Sequence, residues 1–253
     1  MSVVLEARAL SKRFGGITAT DNVSIALTHG CRHALIGPNG AGKTTLVNLL
    51  TGVLEPSAGA ITLNGQDITR LTPEARVARG LVRTFQISQL FDPMTPLEAV
   101  TLAATQTAGK GGRFWRKAGT DAGIGRRALE LLARFRLTEV MHRPTRELAY
   151  GKRRALDIAV ALACDPKVLL LDEPAAGVPA GERDELLQSV RDLPSDVSVL
   201  LIEHDMDLVF SYATRVTVLV NGALLTEGTP DEIAVDPRVR EVYLGHGKGG
   251  HAA

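Results

Sequence analysis

The chain lacks most of the features that would assign it to a class at once. Its 253 residues include only two cysteines, Cys31 and Cys164, which lie 133 positions apart without metal-type spacing. Both are read as reduced, buried thiols, and neither a disulfide framework nor a thiolate metal site is expected. Net charge is nearly absent: 29 basic residues face 28 acidic ones. That balance removes any global attraction to nucleic acid or an anionic membrane and leaves such contacts to local patches. A long hydrophobic run is missing too. The longest apolar stretch, Ile158 to Cys164, falls far short of the roughly 18 residues that a membrane span needs. The first residues, Met1 to Glu6, show no basic region leading into an apolar core and a cleavage site, so a cytosolic location is expected. There is no internal repeat and no heptad pattern.

What is present is a 45% hydrophobic composition, enough for one large α/β domain or two unequal lobes. Short apolar runs at Val3–Ala7, Val23–Leu27 and Cys31–Ile36 read as strands, with Thr28-His29-Gly30 as the turn between the last two. A helix follows Thr44 and stops at Gly52. Ile61–Leu63 with Asn64-Gly65 signals a hairpin, and Leu81–Phe85 another strand. From about Pro96 to Cys164 the periodicity is helical, at Leu97–Ala104, Ile124–Phe135 and Lys152–Ala163. Strand and helix then alternate: Val168–Leu171, Glu182–Leu193, Val197–Ile202, Met206–Ser211 and Val216–Val220. Near-continuous apolar strands of this kind suit a parallel sheet covered on both faces.

The expected architecture is therefore α/β, a mainly parallel sheet flanked by helices with an inserted helical lobe. Residues 1–245 form the domain, with core segments 1–86 and 165–245 and a helical lobe at about 87–164; residues 246–253 read as a flexible tail, and His246 and His251 as part of a frayed end rather than a metal site. The stretch Gly109 to Lys117 is basic, glycine-rich and carries the only tryptophan, Trp115. It is either a solvated loop or a contact with membrane headgroups or a membrane subunit.

Three segments carry chemistry. Gly37-Pro38-Asn39-Gly40-Ala41-Gly42-Lys43-Thr44-Thr45 follows an apolar strand and precedes a helix, which is the P-loop arrangement. Its glycines let consecutive amides turn toward phosphate oxygens, and the helix adds its positive end. Lys43 then reaches the β- and γ-phosphates, and the Thr44 hydroxyl ligates Mg²⁺. Asp172 and Glu173 end the apolar run Val168–Leu171, so both carboxylates stand at the C-terminal edge of a buried strand. Asp172 holds Mg²⁺, through water, and Glu173 is the candidate general base for the attacking water. The third segment, Leu148-Ala149-Tyr150-Gly151-Lys152, opens a helix 21 residues before Asp172 and offers amides to an anion.

Order and spacing of these segments resemble the ATPase subunit of an ABC transporter, which implies a P-loop NTPase core with an antiparallel β subdomain. The third segment is similar to the family's signature motif, usually Leu-Ser-Gly-Gly-Gln, with Gly151 matching its central glycine. The resemblance implies that Ala149 and Gly151 face the γ-phosphate of ATP on an opposite subunit, two chains sandwiching two nucleotides head to tail. Ala149 lacks the usual serine hydroxyl, and Lys152 replaces glutamine; the lysine either offsets the lost donor with charge or points to solvent. The resemblance further implies that Gln86 is the Q-loop glutamine, contacting Mg²⁺ and the attacking water. His204, 32 residues after Asp172, matches the switch histidine, and Phe14 the aromatic that stacks on adenine. Pro174–Ala180 matches the D-loop, with Pro179 where an acidic or amide residue is usual.

Phe14-Gly15-Gly16, Leu-Ala-Tyr-Gly, Asp-Glu-Pro-Ala-Ala-Gly, Glu-His-Asp-Met and the ending Glu241 to Gly245 look like the ATP-binding subunits of branched-chain amino acid importers. What this implies is an ATPase using ATP and Mg²⁺, peripheral on the cytoplasmic face of the inner membrane. Its implied partners are integral membrane permease subunits, a second ATPase chain of the same or a paralogous kind and, indirectly, a periplasmic solute-binding protein, with no nucleic acid. Importers of urea, short amides or aromatic acids share these features. A soluble non-transport ABC ATPase would carry two cassettes or a long coiled coil, and a binding module without turnover would have lost Glu173, Gln86 or His204.

Overall fold

The computed structural model describes residues 2–84, 92–107 and 122–245. In chain order its elements are β1 (Val3–Phe14), β2 (Ile17–Thr28), β3 (Arg32–Ile36), α1 (Lys43–Thr51), β4 (Ala58–Leu63), β5 (Gln66–Asp67), α2 (Pro73–Val77) and β6 (Leu81–Arg83). Then come α3 (Pro96–Thr107), α4 (Ala122–Arg134), α5 (Tyr150–Ala163), β7 (Val168–Asp172) and α6 (Ala180–Arg191). The chain ends through β8 (Ser198–Ile202), α7 (Met206–Tyr212), β9 (Arg215–Val220), β10 (Ala223–Gly228), α8 (Pro230–Val235) and α9 (Pro237–Gly245). The fold is α/β, and the chain divides into two compact units, 1–76 with 195–253 and 77–194.

The first unit holds an antiparallel sheet in the order β2-β1-β4-β5 and a second set in which β3 runs parallel to both β8 and β9, with β10 antiparallel at the side of β9. Every residue of β8 is buried, as are His33 to Ile36 of β3, which accounts for the apolar runs Val199–Ile202 and Ala34–Ile36. Ala34, Ile36, Val216 and Val218 pack with Val209 and Ala213 of the α7 region and with Ile233 and Val239 of α8 and α9. Burying a branched side chain of this kind stabilises the unit by about 1.5–3 kcal/mol relative to exposure.

The expected strands Val3–Ala7 and Val23–Leu27 prove to be parts of two 12-residue strands joined by a hairpin at Gly15-Gly16. Bulges conceal this length in the sequence. The register slips between Ala7 and Leu10, where Ala9 takes φ 50°, and the alternation of apolar residues breaks there. The bulged amides are satisfied by hydroxyls: Ala9 N–H donates to Ser24 Oγ at 2.9 Å and Asn22 N–H to Ser11 Oγ at 3.0 Å. At the other end β10, α8 and α9 have no counterpart among the expected elements, although Thr229-Pro230-Asp231-Glu232 spells a capping box with proline at the first helical position.

In the second unit β6 and β7 pair in parallel, Leu81 opposite Val168 and Arg83 opposite Leu170. Helices α3, α4 and α5 pack on one another, matching the three helical segments expected from periodicity. α5 is buried on nearly every side, Leu156, Ile158, Ala159, Leu162 and Ala163 all lying in the core. Both cysteines are free but only partly buried, not fully buried as expected, and that partial burial pushes each thiol above its ordinary range, which favours the protonated form.

Candidate functional site

The glycine loop in the first unit begins where β3 ends. Gly37 is buried, and a Cβ there would overlap the carbonyl oxygen of Leu219 on β9, so only glycine lets the chain turn this close to the neighbouring strand. Gly40 and Gly42 take φ 79° and 97°, and α1 starts at once after Gly42. Gly42 supplies no side-chain cap, and the first turn of α1 carries no carboxylate. Lys43 Nζ lies over the loop, donating to the carbonyls of Gly37 at 2.6 Å and Pro38 at 3.1 Å. Thr44 is exposed in the first turn.

The far end of α1 is held by a residue that the sequence reading missed. Arg76 is 1% exposed, and its guanidinium donates to the carbonyls of Leu49 and Leu50 in the last turn, at 2.7 and 2.6 Å, and to Leu71 and Thr69. A cation at the negative end of the helix fixes α1 and with it the loop. Four carbonyls converge on one guanidinium here, a pattern that spacing in the sequence does not announce.

Two further expected residues belong to this unit. Phe14 stands at the β1–β2 turn, 47% exposed beside Ile17, which is 71% exposed, with Lys12 Nζ 5.3 Å from its ring centre. An apolar platform left open to solvent at a hairpin tip has the shape and chemistry to stack a flat base. His204 follows β8 with its side chain largely exposed; its N–H donates to Glu203 Oε2 at 3.2 Å, and its Nδ1 lies 3.8 Å from the same oxygen.

The second unit carries the carboxylates. All five residues of β7 are buried, and Asp172 at its end is 8% exposed and pairs with Arg83 of β6, Nη2 to Oδ2 at 2.5 Å. Glu173 takes φ 45°, a left-handed conformation that costs a non-glycine residue about 1–3 kcal/mol. Its carbonyl is held there by Ala176 N–H at 3.1 Å and by the buried Arg154 guanidinium of α5 at 2.9 Å. Neither arginine was identified from the sequence; a buried cation in an apolar helix face or strand is visible only once the partner oxygen is placed.

Helix α5 opens on Ala149, which offers no cap. Gly151 N–H donates instead to Glu182 Oε2 of α6 at 2.7 Å, and a Cβ at Gly151 would overlap that carboxylate. Lys152 Nζ bonds the Arg136 carbonyl at 3.2 Å and Glu185 Oε2 at 3.3 Å. Pro179 is the N-cap of α6. Gln86 lies outside the described residues, as do the basic stretch 109–117 and the tail 246–253.

These groups fit a nucleotide with its metal. The loop gives glycine-lined space, an uncapped helix start and a lysine turned inward, the donor set that a triphosphate needs. Among the described residues no cluster of three or more His, Cys, Asp or Glu side chains forms a cage for a metal. Mg²⁺ needs few protein ligands, because it keeps waters and shares the phosphates of its substrate; Thr44 in the first unit and Asp172 in the second are each oxygen donors of the kind it takes.

Comparison with known proteins agrees. The family model described as ABC transporter matches residues 20–176, and the model for the branched-chain amino acid ATP-binding cassette transporter matches residues 223–249, where β10, α8 and α9 lie. The chain is 40% identical to the high-affinity branched-chain amino acid transport ATP-binding protein BraF of Pseudomonas aeruginosa, over 96% of this chain and 98% of that protein. It is 42% identical to LivG of Salmonella typhimurium, which carries the same description, again over 96% and 98%. A crystal structure of the ADP conformation of an ATP-binding cassette of an ABC transporter superposes with TM-score 0.83 at 31% identity, covering 97% of this chain and all of that one. With the family model spanning residues 20–176 and relatives 40% and 42% identical over 96% of its length, the chain belongs to the ABC transporter family, among the ATP-binding subunits.

Proposed function

We propose that the chain is the ATP-hydrolysing subunit of an importer for branched-chain amino acids. The observation that carries the reading is the P-loop itself, an uncapped helix start with Lys43 Nζ turned over the loop carbonyls, on a chain whose relatives by name serve branched-chain amino acid transport. In this reading residues Gly37 to Thr45 cradle the phosphates, Phe14 stacks the adenine, and Thr44, Asp172 and Gln86 hold Mg²⁺. When bound there, the metal would supply positive charge against the phosphates. Glu173 takes the proton of the attacking water, and His204 steadies the γ-phosphate.

A second chain completes each site in the same reading, its Gly151 and Ala149 meeting the γ-phosphate from the opposite side. Residues 1–245 act as one cassette with a helical lobe at about 87–164. No helix among the described residues is long and apolar enough to cross a membrane, so the work reaches the bilayer through permease subunits, with the cassette peripheral at the cytoplasmic face and a periplasmic binding protein delivering solute. The test is reconstitution with the permease and solute-binding subunits of a branched-chain amino acid importer. ATP-dependent leucine uptake into proteoliposomes, lost with Glu173→Gln, is the expected result. Uptake of urea or an amide with none of leucine overturns the solute, and phosphate release without coupling to any permease overturns the importer.

A further inference from the structure

We infer that Arg83 is a positioning residue for the metal-binding carboxylate, an inference that rests on the reading of Asp172 above. Arg83 ends β6 and Asp172 ends β7, on adjacent parallel strands whose register places Arg83 opposite Leu170. The strands are clamped beyond that point: Thr84 N–H donates to the Leu170 carbonyl at 2.9 Å, and the amide of Asp172 lies 3.4 Å from Thr84 Oγ1. Backbone and hydroxyl thus hold the two strand ends together without the ion pair. The guanidinium nevertheless reaches Asp172 Oδ2 at 2.5 Å, with both side chains about nine-tenths buried.

A buried ion pair is a costly way to join two strands, because desolvating both charges consumes most of their attraction, and an apolar pair of the same volume usually does as well. What the pair supplies that an apolar contact does not is direction. A carboxylate at a strand end rotates about its terminal torsion over a broad range. A guanidinium bonded to Oδ2 fixes that rotation and would leave Oδ1 to accept from a water on a bound Mg²⁺. Arg83 touches neither nucleotide nor metal in this account; it acts through Asp172.

The experiment compares the affinity of the folded chain for a non-hydrolysable ATP analogue in Mg²⁺ and in chelator, by calorimetry, with a thermal melt for each variant. The quantity read is the ratio of the two affinities. Asp172→Asn collapses the ratio, and Arg83→Met lowers it about tenfold or more while affinity in chelator stays unchanged. Arg83→Lys, which restores a charged donor, recovers part of it, and Arg83→Met added to Asp172→Asn lowers it no further. If Arg83→Met does not fold, Arg83→Gln is read in its place and is expected to lower the ratio less. An unchanged ratio in a folded Arg83 variant, with Asp172→Asn collapsed, overturns the positioning role and leaves the pair a strand clasp. A raised ratio also overturns it, since Arg83 would then compete with the metal. A ratio that survives Asp172→Asn overturns the reading of Asp172 itself.

Discussion

Two helix starts in this molecule look alike in sequence and differ in what has been brought to them. α1 begins after Gly42 and α5 after Ala149; neither N-cap has a side-chain acceptor, and neither first turn carries a carboxylate of its own. At α1 the neighbouring ionic group is a cation, Lys43, folded onto the loop carbonyls. At α5 it is an anion, Glu182, bonded to the Gly151 amide. The first end is prepared for a phosphate by the chain alone. The second is already satisfied by the chain's own carboxylate, so a phosphate that reaches Gly151 must displace Glu182. On the proposed function, the contrast would separate a site that binds in a lone subunit from one that engages only when something stronger than a carboxylate arrives.

The largest expected effect leaves both helix ends intact. Glu173→Gln keeps the shape and removes the proton acceptor, so turnover falls roughly 10²- to 10⁴-fold while nucleotide affinity is retained. Measuring phosphate release beside nucleotide affinity decides it, and near wild-type turnover would remove Glu173 from the chemistry.

Breaking the α1 end comes next. Lys43→Ala deletes the cation aimed at the phosphates, and loss of a charge-assisted hydrogen bond is expected to weaken ATP binding about 10- to 150-fold in the lone chain. Gly151→Asp, by contrast, is expected to leave ATP affinity of the lone chain unchanged and to lower turnover to a similar extent as Lys43→Ala, because in the proposed composite site it sets a second negative charge against the γ-phosphate. The two are each poorly active as homodimers. Mixed, they form one whole site and one doubly broken site, so ATPase activity returns. Dimers that form in the mixture without activity, and without trapping nucleotide at the whole site, contradict the head-to-tail arrangement.

The contrast also explains what the sequence made legible. The P-loop is a backbone device, and glycine records backbone demands directly: Gly37 sits where a Cβ meets the Leu219 carbonyl, so the motif is readable from residue types alone. The apolar strand before Asp172 was readable for the same reason, since burial on both faces leaves an uninterrupted run. What stayed hidden were pairings between side chains or carbonyls distant in sequence. Arg83 with Asp172, Arg154 with the Glu173 carbonyl, Glu182 with Gly151 and Arg76 with the end of α1 depend on packing that no local pattern encodes. The bulges in β1 and β2 hid strand length by shifting the period, whereas β10 to α9 carried a legible capping signal.

The smallest expected effect bears on the α5 end, where Ala149 stands at a position that favours serine twice over. A serine there would cap the helix, a change worth about 0.5–2 kcal/mol in stability, and would also place a hydroxyl at the edge an incoming γ-phosphate approaches. The two roles separate by measurement. If the hydroxyl engages phosphate, Ala149→Ser dimerises at an ATP concentration about two- to tenfold lower, the range for one neutral hydrogen bond. If it only caps, the melting temperature rises and the ATP dependence is unmoved. Lys152 supplies the control, because its ammonium is committed to Glu185 and the Arg136 carbonyl on the surface. Exposed pairs of this kind contribute little, so Lys152→Ala is expected to change neither quantity appreciably. A large loss of ATP-driven dimerisation in Lys152→Ala, with no gain in Ala149→Ser, would mean that the lysine leaves Glu185 to meet the phosphate. The α5 end would then resemble the α1 end after all, a helix start served by a neighbouring cation.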